Sequence, residues 1–214
     1  MVAATPHTLH AAGEDDSAKR RQILAGASKV FMDLGFDGAS MGEIARAAGV
    51  SKGTLYVYFA DKNRLFEAIV EQEALEQGKV LFNYDPGRDI PTTLRDFGQT
   101  YIHLLCRPGG GSAIRTVMSI AERMPDVGRR FYQCVIEHRI NGLALYLDAH
   151  VKSGDLAIED CQHAAAQFIQ TCQASLFLPF IFQSAPPPSP QRIAQVVESA
   201  TQMFLAAYRA KGTS

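Results

Sequence analysis

Residues 40–55 read SMGEIARAAGVSKGTL, and this stretch constrains the fold more than any other in the chain. Ser40 and Glu43 have the S-x-x-E spacing of a capping box, in which a hydroxyl and a carboxylate satisfy the orphan N–H groups at a helix start. Gly49 can take the left-handed conformation that ends such a helix. Ser51, two residues later, can cap a second one. The spacing therefore predicts two short helices joined by a tight glycine turn. Ala45, Ala47, Ala48 and Gly49 are small residues where the helices must cross, with Val50 and Leu55 to fill the angle between them.

The flanks extend the pattern. From Ser17 to Leu34, the apolar residues Ile23, Leu24, Ala27, Val30, Phe31 and Leu34 recur on one helical face, and Gly35 follows as a terminator. Asp61 can cap a helix carrying Leu65, Phe66, Ile69 and Val70. The expected order is helix, helix, turn, short helix, long exit helix.

Beyond Tyr84 the periodicity stays helical. DPGRDIP at 85–91 reads as a linker, helices are expected over 92–106, 113–123, 127–151 and 159–183, APPPSP at 185–190 reads as a stiff linker, and a last helix carries Ile193, Val196, Val197, Ala200, Phe204, Ala207 and Tyr208 on one stripe. RPGGGS at 107–112 has three glycines but no Gly-Lys-Ser/Thr after them, so it reads as a loop and not a phosphate cradle. Pro179 should kink its helix. No alternating strand pattern competes, so the fold class is all-α. The expected organisation is a disordered arm over 1–16, a helix-turn-helix domain over 17–62, and a larger helical domain over 63–214.

Composition removes several functions. The chain has 214 residues, 47% hydrophobic and 20% charged, as in a soluble globular protein. No apolar run approaches the roughly 18 residues of a membrane span. The N-terminus lacks a basic start and an apolar core, so a secretory signal is not expected and a cytoplasmic location is. Cys106, Cys134, Cys161 and Cys172 have no C-x-x-C spacing and the six histidines form no H-E-x-x-H, so neither metal nor cofactor is expected. Glu122 and His138 could be drawn as an acid–base pair, but no nucleophile elbow, metal spacing or phosphate loop supports an enzyme.

The formal net charge of -1 hides a local excess. Between Lys19 and Arg64 eight basic residues face four acids, a balance of +4. A short helix beginning at Lys52 can enter the DNA major groove. Ser40 offers a hydroxyl and free N–H groups to a phosphate. Lys52 and Thr54 can reach phosphates or base edges, and Gly53 permits close backbone approach. Tyr56 and Tyr58 combine a ring for thymine methyls with a hydroxyl for phosphate, and Lys62 adds charge. The near-neutral whole argues against a nonspecific nucleic-acid coat.

The run ILAGASKVFMDLGFDGASMGEIARAAGVSKGTLYVYFADKNRLFEAIV, residues 23–70, resembles the DNA-binding region of the TetR family of bacterial transcriptional regulators. The shared pattern is Ile44-Ala45, Gly49-Val50-Ser51, Gly53-Thr54-Leu55-Tyr56-Val57-Tyr58-Phe59, Lys62 and Leu65-Phe66. The resemblance implies double-stranded DNA contact by Ser40, Lys52, Gly53, Thr54, Tyr56, Tyr58 and Lys62. Two departures matter. Val57 replaces a frequent tyrosine, so the operator sequence is not carried over. Ala39-Ser40 has one hydroxyl where two are common.

Residues 120–139 and 154–169 are similar to the C-terminal domain of AefR- or AcrR-like regulators. This implies a homodimer through the last two helices, a palindromic operator, and a repressor released by a small hydrophobic or aromatic effector. Polar residues among hydrophobes make His103, Met118, Glu122, His138, Phe168, Cys172 and Phe177 the candidate effector pocket. The alternative is a degenerate helix-turn-helix protein that serves as a protein-interaction module.

Overall fold

The computed structural model describes residues 8–78, 84–85, 87–107 and 110–210, and these are helical with one isolated bridge, Leu156 to Arg209. Helix α1 spans Thr8–Gly38, α2 Met41–Ala47, α3 Lys52–Tyr58 and α4 Lys62–Gly78. Helix α5 spans Ile90–Leu105, α6 Gly110–Ile120 and α7 Pro125–Phe131. A π-helical segment, Tyr132–Glu137, leads into α8, His138–Lys152, and α9 (Cys161–Ile181) and α10 (Pro190–Tyr208) follow.

Local chemistry sets the element ends. The Ser40 hydroxyl accepts from Glu43 N–H at 3.2 Å, and Glu43 accepts from Ser40 N–H at 3.0 Å, completing the capping box. Ser51 accepts from Thr54 N–H at 2.9 Å to start α3. Asp61, Asp89, Asp160 and Ser189 cap α4, α5, α9 and α10 in the same way. Gly49 has φ of 64° in the turn between α2 and α3, where a side chain would be strained.

Two expectations are corrected. The segment over 1–16 is not a disordered arm as a whole: α1 starts at Thr8, and residues 1–7 lie outside the described part. Gly35 does interrupt the helix, with φ of 70° and ψ of 175°, although the helical trace resumes to Gly38. The single helix expected over 127–151 contains the π-helical segment. Its buried positions explain why. Val127, Phe131, Val135, Arg139, Leu143 and Leu147 recur every fourth residue. Such a stripe drifts around an α-helix of about 3.6 residues per turn, and a wider π turn rotates it back. Pro179 sits in the last turn of α9, where it removes the N–H that would bond Ser175 O, and the helix ends two residues later at Ile181.

Packing produces two cores. One gathers Leu94, Phe97, Ile102, Leu143, Leu147, Phe168, Cys172, Ile193 and Val197 from α5, α8, α9 and α10. The other joins Ile23, Leu24, Phe31, Ile44, Leu55, Leu65 and Phe66 of α1–α4 to Val117, Ile120, Val127, Phe131 and Val135. The N-terminal helices therefore share their core with α6, α7 and the π segment.

Candidate nucleic-acid interface

The helix pair is held by close contact from behind. A Cβ on Gly26 would lie 2.6 Å from the Ala48 backbone, so α1 and the end of α2 touch main chain to main chain. Leu55 is fully buried and Phe59 nearly so, which anchors α3 by one side. The other side faces out. Tyr56 is 52% exposed and Val57 82%. The two form an adjacent aromatic and aliphatic pair on the outer surface of α3.

The predicted contact residues divide into two groups. Lys52, Gly53 and Tyr56 are exposed on α3. Among the described residues, no hydrogen-bond or ion-pair partner engages Lys52 Nζ or the Tyr56 hydroxyl. A Cβ on Gly53 would meet only the Ser51 hydroxyl, at an ordinary 3.7 Å, so the fold itself does not require glycine there. Its bareness leaves the surface open to an external group.

The second group is already engaged. The Ser40 hydroxyl is 2.7 Å from Glu43 Oε2, and this contact holds the Glu43 carboxyl below the usual carboxylate range. Thr54 is half-buried and shares a 2.8 Å hydrogen bond with Ser51. The Tyr58 hydroxyl donates to Asp16 at 2.7 Å. Lys62 departs most from the surface role expected of it. Its ammonium donates to Phe36 O at 2.6 Å and Ala39 O at 3.0 Å, and lies 4.5 Å from the Phe36 ring centroid. It fastens the start of α4 to the end of α1, leaving one N–H of three for any phosphate.

One participant was missed from the sequence. Gly42 lies beneath Lys52: a Cβ there would be 3.0 Å from Lys52 Cε, 3.3 Å from its Nζ and 3.8 Å from the Ser40 hydroxyl. Its bare backbone lets Lys52 cross from α3 to the start of α2, placing a cation beside Ser40. The spacing of Gly42 and Lys52 gave no signal, because the approach depends on the angle between α2 and α3.

The candidate effector residues are not brought together. Phe168 and Cys172 are buried in the C-terminal core, and Phe177 packs against it from the same helix. Burial pushes the Cys172 thiol up to about 12, as expected of a packed, unreactive cysteine. His103, Met118, Glu122 and His138 are exposed on α5, α6, the turn after α6 and α8. His103 turns back to Gln99 O at 2.8 Å. An open cleft of about 370 Å³ lies elsewhere, between α4 and α7, lined by Arg64, Glu67, Val70, Val127, Arg130 and Gln133 among others. Among the described residues, no group of three or more His, Cys, Asp and Glu could hold a metal ion, and no helix is long and apolar enough to cross a membrane.

An outward-facing short helix on a compact reader, carried by a larger helical body, is the construction of a helix-turn-helix transcriptional regulator. Residues 23–69 match the bacterial regulatory proteins of the tetR family, and residues 92–210 match the AefR-like transcriptional repressor C-terminal domain. The chain belongs to the TetR family of transcriptional regulators, a DNA-binding family and not an enzymatic one.

Solved relatives cover nearly the whole fold. A TetR-family transcriptional regulator from Mesorhizobium loti is 25% identical, with a TM-score of 0.81, over 91% of this chain and 98% of that one. The flavonoid-responsive regulator FrrA is 28% identical, with a TM-score of 0.77, over 92% of this chain and 100% of its own. The transcriptional repressor AcnR of Corynebacterium glutamicum is 34% identical over 71 residues, 33% of this chain. The match spans only 38% of AcnR's length.

Proposed function

We propose that this protein is a cytoplasmic, ligand-responsive repressor that binds a palindromic operator as a homodimer. The observation that carries the reading is the outer face of α3, where Lys52, Gly53, Tyr56 and Val57 stand exposed beside a fully buried Leu55. Lys52, Ser40 and the Tyr58 hydroxyl contact phosphate, Tyr56 and Val57 read the groove, and Thr54 and Lys62 hold the reader in shape. The reader comprises residues 17–62, and residues 63–214 form the effector-binding and dimerisation body.

Homodimerisation through α9 and α10 is supported by Leu178, Phe182 and Met203, which are 58%, 78% and 61% exposed. A two-fold axis there sets two copies of α3 about 34–36 Å apart, one DNA turn. The effector is a small hydrophobic or aromatic molecule bound in the helical body beside α9. FrrA responds to flavonoids by its name, and SmeT, 22% identical, represses a multidrug efflux pump. The shared core between α1–α4 and α6, α7 and the π segment supplies the link. A ligand that binds better to a body with misplaced readers shifts the population off DNA.

The test is selection from a random duplex pool, followed by affinity against salt. One enriched palindrome with a steep salt dependence supports the regulator. A folded protein that enriches nothing supports the protein-interaction module instead.

A further inference from the structure

The segment of α1 ahead of the family-matched region touches the reader at three points. Gln22 Nε2 donates to Ala48 O at 2.7 Å, across the tight turn. Arg20 lies 5.4 Å from the Phe59 ring centroid, at the end of α3. Asp16 accepts a 2.7 Å hydrogen bond from the Tyr58 hydroxyl, in the last turn of α3. Residues 16–22 thus run along the α2–α3 pair, and all three lie outside the matched span of 23–69.

The chemistry of the third contact differs from the other two. Gln22 and Arg20 attach the segment to the fold through a carbonyl and a buried ring. Asp16 brings an exposed carboxylate to a hydroxyl at the edge of the reading face. A carboxylate oxygen and a phosphate oxygen are both anionic acceptors for a phenolic O–H. The one hydrogen of Tyr58's hydroxyl cannot serve both in full, and an anion beside the DNA backbone repels it. The surrounding segment, by contrast, is net positive between Lys19 and Arg64.

We infer that Asp16 is a built-in competitor for a DNA phosphate at Tyr58: an intramolecular anion that occupies the tyrosine hydroxyl in the free protein and must be exchanged for phosphate when DNA binds. Its effect is to weaken binding to all duplexes by a similar factor, leaving the preference among them to the groove-reading contacts of Tyr56 and Val57. The contact adds no base recognition of its own. Asp16 is a positioning residue in this sense, acting through Tyr58 and through its own charge. The inference rests on the reading of α3 as a DNA reader.

The test uses the full chain and two duplexes, the selected operator and an unrelated sequence, with affinity measured by fluorescence anisotropy from low to high salt. Asp16 is exposed, so Asp16→Ala and Asp16→Asn leave the fold intact. Asp16→Ala is expected to tighten both duplexes by about threefold to tenfold at low salt, with the gain shrinking as salt screens the charge. Asp16→Asn keeps an acceptor oxygen and removes the charge, so it recovers part of the gain. In a Tyr58→Phe background the gain from Asp16→Ala falls to the part due to charge alone.

Unchanged or weaker binding by Asp16→Ala, or a gain equally large with Tyr58→Phe, overturns the competitor. Lys52→Ala separates this from failure of the reader itself. If Lys52→Ala loses DNA while Asp16→Ala behaves as wild type, the competitor alone is wrong. If Lys52→Ala binds as wild type does, the reader is misplaced and the competitor falls with it. A wild type that binds no duplex while Asp16→Ala does would support the competitor strongly, and no binding by either protein overturns both.

Discussion

Arg123 and Asp37 form a two-point ion pair, with Nη1 2.7 Å from Oδ1 and Nη2 2.9 Å from Oδ2. It joins the turn after α6 to the end of α1, at the edge of the core they share. The Arg123 hydrogen bond holds the Asp37 carboxyl below its ordinary range. A depressed folded value means that the contribution to stability is present above the unfolded value, about 3.9, and is lost as pH falls through the lower folded one. Arg123→Gln is therefore expected to lower the urea midpoint at pH 7, by a small amount because both groups are exposed. The gap from wild type should close as pH drops below about 4. A gap that is the same at pH 7 and pH 3 would show that the pair does not act through charge.

Lys52 and Lys62 should separate in their effects. Lys52 has its ammonium on the reading face, so Lys52→Ala is expected to weaken DNA binding, reduce its salt dependence by about one phosphate contact, and leave the melting temperature unchanged. Lys62 holds two carbonyls through charged hydrogen bonds. Lys62→Met keeps the stem and removes the donors, and is expected to destabilise the fold by about 1.5–3 kcal/mol. Thermal melts beside DNA titrations check both; a Lys62→Met protein of full stability would return Lys62 to a purely DNA-facing role.

Gly26 marks where α1 and α2 are in closest contact. A methyl group there would meet the Ala48 backbone at 2.6 Å, with no flexible side chain to yield. Gly26→Ala is expected to cost about 1–3 kcal/mol, the range for overpacking, and to weaken DNA binding by displacing the turn. Chemical denaturation measures the first effect directly. A neutral result would mean that α1 and α2 can slide apart without loss.

Leu178 and Phe182 offer the clearest test of the dimer. Both are exposed near the end of α9, and neither serves the core of one chain. Leu178→Glu with Phe182→Glu is expected to give a folded monomer in sedimentation velocity, with operator affinity reduced by more than tenfold because two linked readers become one. A dimer that survives both charges would place the interface elsewhere.

The reader was legible because its signals are local. Capping at Ser40, Ser51 and Asp61 and the left-handed Gly49 depend on residues a few positions apart, and α2, α3 and α4 begin where those caps place them. The π-helical segment left a weaker trace. The four-residue spacing from Val127 to Leu147 carries it, but that spacing also reads as an ordinary amphipathic helix.

What the sequence by itself determined is the helical inventory and the family: these follow from capping, periodicity and a motif written in consecutive residues. Tertiary structure alone decided which side chains remain available. Lys52 and Lys62 look equivalent as residues, yet the end of α1 supplies carbonyls to one and not to the other. Tyr56 and Tyr58 stand two apart, yet only Tyr58 meets Asp16, a residue 42 positions away. His103, Met118, Glu122 and His138 look like pocket residues beside hydrophobes, yet each points outward. The physical reason is the same in every case: a side chain's partners are fixed by helix crossings between distant segments, and periodicity along one helix carries no record of them.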